Sequence, residues 1–238
     1  MLEPLGWTEA ELARLRAQGV TTLAYVSALE ANDAVYREAA LTPGDLLVRA
    51  GRPWYKAEWG TWVADPRSAR WRAHLRGHVT GLMRSGWDGV FLDTLGDVED
   101  DGLAGQSAWL LPAAAELLQT VRRVVGSGQL MQNHGLQLLL PLVAAQLDGI
   151  CWESPPLEAF GRQDWADQTL DRVLAAGLRY DLTLLLLGRA QADGAEQAAA
   201  LAEFATRQGA LAYTAPGNYH LGIRLPDGRV QWPGGQRP

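Results

Sequence analysis

The sequence is poor in cysteine and has no long apolar run. Its 238 residues include one cysteine, Cys151, so the chain cannot form an internal disulfide and is not a small secreted domain held by such bonds. No stretch approaches the roughly 20 apolar residues that span a bilayer. Residues 1–4 have neither the basic nor the apolar region of a signal peptide. We therefore expect a chain that is soluble and cytoplasmic as written, with no membrane partner.

Positive charge is also scarce, and it is scattered. There are 21 basic and 27 acidic residues, which gives a net charge of -6, and every basic residue except Lys56 is an arginine. Proteins that bind nucleic acid present a basic patch to the phosphate backbone, so we expect no nucleic-acid partner. With 47% hydrophobic and 20% charged residues, the composition excludes disordered, collagen-like and coiled-coil chains.

Helical and strand-like segments alternate along the whole sequence. The strand-like segments are short and almost continuously apolar, which indicates a parallel sheet covered on both faces by helices. The predicted strands lie at 21–30, 61–65, 89–93, 128–133, 148–154, 181–188 and 210–214. The predicted helices begin at Thr8 and lie at 68–84, 107–125, 135–146, 164–176 and 193–208.

This pattern predicts an α/β fold of the (β/α)8 TIM-barrel type. Seven strands are clear, and an eighth, truncated first strand is expected at residues 1–4; a chain of about 250 residues is the usual size of such a barrel. An open, doubly wound sheet is the alternative, but no Gly-x-Gly-x-x-Gly follows any strand, so a dinucleotide site has no support. We expect one domain, residues 1–238, ending in a Gly/Pro-rich tail at 214–238.

The most informative feature is an internal repetition. Segments 88–93 and 148–153 share one pattern, in which Asp-Gly is followed by three apolar residues and a carboxylate. The pattern places Asp93 and Glu153 at the C-terminal ends of their strands. Counted as strands four and six, these strands alternate in the barrel, so both side chains are expected in one layer at its mouth. Asp88 and Asp148, at the opposite strand ends, are expected to be turn residues.

Two carboxylates that face each other suit glycoside hydrolysis. Neighbouring acids push their pKa values apart, so that one serves as proton donor and the other as nucleophile or base. The alternative is that Asp93 and Glu153 cap loops or pair with arginines. Retention or inversion depends on the separation of the two carboxyl groups, which the sequence does not give.

Several segments resemble a known family. They are AYVSALEA, WYKAEWGTWVADPRSARW, GWDGVFLDTLGD, LMQNHG and DGICWESP. In this order and at these intervals they are similar to glycoside hydrolase family 114, the endo-α-1,4-polygalactosaminidase type, over residues 2–213. The resemblance implies that Asp93 and Glu153 are the catalytic carboxylates, and we favour Asp93 as nucleophile and Glu153 as acid/base. It implies a polysaccharide or oligosaccharide substrate, no cofactor and a secreted enzyme.

Further candidates for substrate binding lie at predicted C-terminal strand ends and in the tryptophan-rich loop. Each could instead cap a loop or pack against the barrel. The many acids among them suit a cationic amino sugar. The candidates are Tyr25, Ser27, Glu30, Lys56, Trp59, Asp65, Asp97, Asn133, His134 and Tyr213.

The sequence also departs from the family pattern. Besides the truncated first strand, Leu29 precedes Glu30 where the family usually has glycine, and Gly188-Arg189 replaces a common Asp-Tyr pair. A catalytically silent carbohydrate-binding barrel is therefore the second hypothesis. No metal site is expected, because His74 and His78 have helical spacing but no third ligand.

Overall fold

The chain folds around a central parallel β-sheet whose strands are connected by α-helices. This computed structural model describes residues 1–190, 195–216, 223–224 and 230–231. The strands are β1 (Leu23–Ser27), β2 (Glu30–Asn32), β3 (Val48–Arg49), β4 (Arg52–Pro53), β5 (Tyr55–Lys56), β6 (Thr61–Val63), β7 (Gly89–Asp93), β8 (Gln129–Asn133), β9 (Gly149–Glu153), β10 (Thr183–Ala190), β11 (Leu211–Pro216), β12 (Ile223–Arg224) and β13 (Val230–Gln231). The α-helices are α1 (Glu9–Ala17), α2 (Asp33–Glu38), α3 (Ala69–Arg84), α4 (Ser107–Val125), α5 (Leu140–Val143), α6 (Asp164–Tyr180) and α7 (Ala195–Gln208).

The central sheet contains six strands in the order β1, β7, β8, β9, β10 and β11, and every neighbouring pair is parallel. This arrangement confirms the predicted α/β class. Leu2 forms a parallel bridge to Ala24 of β1, so a remnant of the truncated first strand lies at the edge of the sheet. Within the described residues β11 does not pair with this remnant, and the barrel is not closed.

The prediction that residues 61–65 form a barrel strand is wrong. Strand β6 pairs with β2 and β5 in a separate antiparallel sheet, and β1 pairs directly with β7. The reason is that the chain turns back after β1, so that Glu30–Asn32 already occupies one edge of β6. The parallel sheet therefore has six strands where seven were expected.

The helix predicted at 135–146 is also much shorter than expected. Only α5 is α-helical there, followed by a 3-10 turn at Ala144–Gln146. Proline tolerates the first turn of a helix but not its interior, and Pro141 lies in the first turn of α5. The predicted tail at 214–238 and the start of the predicted last helix lie largely outside the described residues.

The repeated Asp-Gly pairs fix the strand starts. A Cβ atom on Gly89 would lie 2.0 Å from the Gln129 carbonyl oxygen, and one on Gly149 would lie 2.7 Å from Met131. At Gly89 only glycine fits, because the obstructing atoms belong to the backbone. At Gly149 a Cβ atom would displace the Met131 methyl group and lie 3.0 Å from the Thr183 carbonyl oxygen. Asp88 accepts hydrogen bonds from the Thr22 amide at 2.8 Å and from Arg16 at 2.7 Å. Asp148 likewise accepts hydrogen bonds from the Leu130 amide and from Arg122.

The apolar core has two parts. The larger part lies between the sheet and the surrounding helices. The smaller part lies on the opposite, inner face of the sheet and contains Leu23, Phe91, Cys151 and Leu187, with Tyr25, Met131 and Leu185 packed against it. This inner cluster fills the space beneath the C-terminal ends of the strands. No helix in the described part of the chain is long and apolar enough to cross a membrane.

Candidate active site

One amide group connects the two predicted catalytic carboxylates. Asp93 ends β7, Glu153 ends β9, and Asn133 ends the strand between them. Asn133 Nδ2 donates to Asp93 Oδ1 at 2.9 Å and to Glu153 Oε2 at 3.2 Å. Both carboxylates are partly accessible, whereas Asn133 is buried. The structure therefore brings these three predicted site residues together at one end of the sheet.

The shared donor limits how far apart the carboxylates can be. Because both oxygens are bonded to one nitrogen, the two bonded oxygens are no more than about 6 Å apart. Inverting glycosidases hold their carboxyl groups about 6.5 to 9.5 Å apart, and retaining enzymes about 5 to 5.5 Å. For this pair of oxygens, the upper limit admits the retaining separation.

Tyr25 is the second donor to Asp93. Its hydroxyl group donates to Asp93 Oδ2 at 2.8 Å, so each oxygen of this carboxylate accepts a hydrogen bond. Burial, together with the charge of Asp93 and this hydrogen bond, raises the pKa of Tyr25 far above its ordinary value. The phenol therefore stays protonated and donates to Asp93. A hydrogen bond of this kind stabilises a carboxylate in its ionised form.

The inner apolar cluster forms the floor of the site. Phe91 and Cys151 lie two residues before Asp93 and Glu153 on the same faces of β7 and β9, and both are almost completely buried. Burial and the nearby charges of Glu153 and Asp93 raise the pKa of the Cys151 thiol. A protonated thiol is a poor nucleophile, and this cysteine packs as a small apolar residue beneath the site.

Three other predicted residues form an ionic cluster at the same end of the sheet. Lys56 Nζ lies 2.6 Å from Glu30 Oε1 and 2.8 Å from Asp97 Oδ1, and all three side chains are at most 19% exposed. Glu30 also accepts a hydrogen bond from Thr61 of β6. Burial would lower the pKa of Lys56, but the carboxylates of Asp97 and Glu30 outweigh it and raise that pKa.

Asp97 has one oxygen without a donor. Its Oδ2 atom is buried and accepts no hydrogen bond from the described residues. Burial and the neighbouring Glu30 raise the pKa of Asp97 to about 7, against the opposing effect of Lys56. Near neutral pH this carboxyl group therefore exchanges its proton readily.

Two contributors were missed in the sequence. Thr94, directly after Asp93, accepts a hydrogen bond from the Leu29 amide at 2.9 Å and holds the loop that carries Glu30. Glu3, directly after the strand remnant, adds negative charge close enough to raise the pKa of Tyr25 further. No local pattern marks Thr94, whereas Glu3 follows a predicted strand end and could have been found.

Comparison with known families identifies the chain. The model of glycoside-hydrolase family GH114 matches residues 6–154, a range that includes Asp93, Asn133 and Glu153. The chain belongs to family GH114. This confirms the resemblance seen in the sequence and establishes the class of activity as glycoside hydrolysis. Comparison with curated proteins gave no significant match.

Solved structures show the same fold. The glycoside hydrolase domain of PelA from Pseudomonas aeruginosa is 23% identical, with a TM-score of 0.72 over 91% of the GH114 chain and 87% of that domain. Ega3 from Aspergillus fumigatus, in complex with galactosamine, is 14% identical, with a TM-score of 0.67 over 87% and 79% of the two chains. The α-galactosidase TtGalA from Thermus thermophilus is 15% identical, with a TM-score of 0.58 over 88% of this chain and 46% of its own. The GH114 chain therefore has the fold of TIM-barrel glycoside hydrolases.

Three other predicted site residues lie around the carboxylate pair. Tyr213 lies beside Leu187, which in turn pairs with Glu153, so Tyr213 shares the inner face of the sheet at the level of Glu153. The Ser27 hydroxyl donates to the Glu30 carbonyl at 2.9 Å and organises the loop. His134 directly follows Asn133 with a left-handed backbone, φ 56°.

Two candidates are placed differently from what the sequence suggested. Asp65 forms a hydrogen-bonded ion pair with Arg67 at 2.7 Å and is not brought to the carboxylate pair. Trp59 is 52% exposed in the turn between β5 and β6, while Lys56 of the same loop points into the ionic cluster. These two candidates from the tryptophan-rich loop are therefore divided between the surface and the ionic cluster.

The described residues contain no group of three or more His, Cys, Asp or Glu side chains arranged to hold a metal ion. The rings of His74 and His78 stack on α3 with centroids 6.2 Å apart.

Proposed function

We propose that this GH114 chain hydrolyses an α-1,4-linked, galactosamine-containing polysaccharide with retention of configuration, using Asp93 and Glu153. The observation that carries the proposal is the Asn133 amide bonded to both carboxylates. It supports a pair of acids that act together on one glycosidic bond, at a separation that the retaining mechanism allows. The GH114 match and the galactosamine complex of Ega3 support the choice of sugar.

The reaction has two steps. In the first, Asp93 attacks the anomeric carbon and forms an ester, while Glu153 gives its proton to the departing glycosidic oxygen. In the second, Glu153 removes a proton from water, which attacks the same carbon and releases Asp93. Donors to both oxygens of Asp93 favour its role as the ionised nucleophile.

The surroundings of the pair favour a cationic sugar. Glu30 and Glu3 add negative charge near Tyr25, and Lys56 is held between the carboxylates of Glu30 and Asp97 instead of facing solvent. An ammonium group on the substrate is attracted to such a region. We propose that Tyr213, level with Glu153, contacts the sugar, and that Asp97, whose second oxygen is buried, holds Lys56 in place.

The test is hydrolysis of a de-N-acetylated α-1,4-galactosaminan, followed by reducing-end release and by NMR of the first-formed anomer. We expect the wild-type chain to release the α-anomer, and Asp93→Asn and Glu153→Gln to reduce turnover by about 10³-fold or more with the fold intact. Asp101→Asn and Glu116→Gln, at exposed positions, are the matched controls.

Full activity in either carboxylate variant would remove that residue from the mechanism. A first-formed β-anomer would show inversion. Binding of the polymer without reducing-end release would favour the catalytically silent barrel.

A further inference from the structure

Left-handed backbone recurs directly after the residues of the site. Thr94 (φ 67°), His134 (φ 56°) and Ser154 (φ 51°) each follow one of Asp93, Asn133 and Glu153. Among the described residues the other non-glycine residues with positive φ are Ala40, Ala50 and Asp181. Half of these conformations therefore occur where the three neighbouring strands end. Such backbone is strained at a non-glycine residue and persists only where the surroundings hold it in place.

Thr94 is the most unusual of the three. Its side chain branches at Cβ, and a branched residue with positive φ is a steric outlier, whereas glycine adopts this conformation readily. Its hydroxyl group accounts for the choice. Oγ1 accepts a hydrogen bond from the Leu29 amide at 2.9 Å and lies 3.3 Å from Ser27 Oγ. Since the Ser27 proton is already directed to the Glu30 carbonyl, Thr94 is the donor in this contact.

The end of β7 is held at two successive positions, the Asp93 carbonyl and the Thr94 hydroxyl. The Ala28 amide donates to the Asp93 carbonyl at 2.9 Å, and the next amide, that of Leu29, donates to the Thr94 hydroxyl. Two consecutive amides of the β1–β2 loop thus fix the residue that follows the carboxylate. With the end of β7 fixed, the Cα–Cβ bond of Asp93 is directed at Tyr25 and Asn133.

We propose that Thr94 is the positioning residue of Asp93. It acts through its hydroxyl group, which anchors the end of β7 to the β1–β2 loop and thereby sets the position of the carboxylate relative to Asn133. Its effect on turnover depends on the proposed hydrolysis by Asp93, but its effect on geometry does not.

Three substitutions distinguish the effect of the hydroxyl group from the effect of the backbone strain. Thr94→Ser keeps the hydroxyl, Thr94→Val keeps the shape without it, and Thr94→Gly removes both the hydroxyl and the steric cost of positive φ. We expect the Val and Gly variants to lose about 10-fold to 100-fold in kcat with KM changed less than about threefold, because misplacing a reacting group by about 1 Å costs this much. The Ser variant should retain wild-type kcat within about threefold. Thr120→Val, at a partly exposed threonine of α4 whose hydroxyl donates to the Glu116 carbonyl, is the matched control.

A Gly variant as active as wild type would overturn the proposal, because the hydroxyl would then be dispensable. This variant carries no backbone penalty, so it decides the matter even if the Val variant does not fold.

Crystal structures of the ligand-free wild type and Gly variant give an independent result. We expect the Asp93 Oδ1 to Asn133 Nδ2 distance to exceed about 3.5 Å in the variant, beyond hydrogen-bonding range, and an unchanged distance would contradict the proposal. If the wild type does not cleave the galactosaminan, the proposed function fails, and these distances still decide the role of Thr94.

Discussion

The buried side-chain amide of Asn133 lies between the two acids of the site and donates a hydrogen bond to each. Its nitrogen must face the carboxylates, because an amide oxygen in that place would repel both. The Asn133 oxygen accepts no hydrogen bond from the described residues. A buried acceptor without a donor costs free energy, so this orientation is retained at the expense of stability. We infer that Asn133 serves the carboxylate pair more than the fold.

Replacing Asn133 tests this reading at the scale of one residue. We expect Asn133→Ala to lower kcat on the galactosaminan by about 10²-fold to 10³-fold, the usual cost of removing one preorganised donor. Its melting temperature should change much less than its activity, because the variant also removes an unsatisfied oxygen. The measurement is kcat by reducing-end release beside a thermal melt. An Asn133→Ala variant with wild-type kcat would show that the amide does not organise the site.

At the scale of elements, ion pairs join the antiparallel sheet of β2, β5 and β6 to the segment that follows β7. Lys56 of β5 and Glu30 of β2 meet Asp97, which lies in the 3-10 turn Leu95–Glu99 that follows Asp93. Because Lys56 is paired twice in a buried setting, removal of one partner leaves charge uncompensated. The state of Asp97 therefore bears on how firmly this sheet is held beside the site.

The pH dependence of stability follows from Asp97. Its folded pKa of about 7 lies above the ordinary value of 3.8, so between these values the folded chain holds a proton that the unfolded chain has released. The free energy of unfolding therefore falls as pH rises from about 4 to about 7, by up to about 1.4 kcal/mol per pH unit for one proton. Asp97→Asn should remove this contribution. Urea unfolding at pH 5, 6, 7 and 8 measures it.

The control for this prediction is Asp101→Asn, at an exposed position of the same segment. Its free energy of unfolding should follow the wild-type slope with pH. If Asp97→Asn also keeps that slope, Asp97 does not hold the proton.

The elements show how far sequence reasoning reaches. The strands that carry Asp93 and Glu153 were predictable, because continuous apolar runs between Asp-Gly and a carboxylate mark buried parallel strands. The segment Thr61–Val63 looks the same locally, but its partners β2 and β5 lie in a sheet that only tertiary pairing determines. Likewise the sequence indicated that Asn133 belongs to the site but not that it bridges two acids, since that requires the order of β7, β8 and β9.

At the scale of the whole molecule, one larger core connects the sequence from Leu12 to Ala205. The single domain at 1–238 stays a prediction. It implies that urea unfolding is one cooperative transition, so that tryptophan fluorescence and far-ultraviolet circular dichroism give coincident curves. The ten tryptophans make fluorescence a suitable probe. Two separated transitions would indicate a second folding unit.

The central claim is that Asp93 and Glu153 act on one glycosidic bond. The most direct measurement is a crystal structure of the Glu153→Gln variant with an α-1,4-galactosamine oligosaccharide. We expect the anomeric carbon of one sugar to lie about 3 to 3.5 Å from an Asp93 oxygen, with the next glycosidic oxygen beside residue 153. An oligosaccharide bound elsewhere, or an Asp93 turned away from the anomeric carbon, would contradict the account.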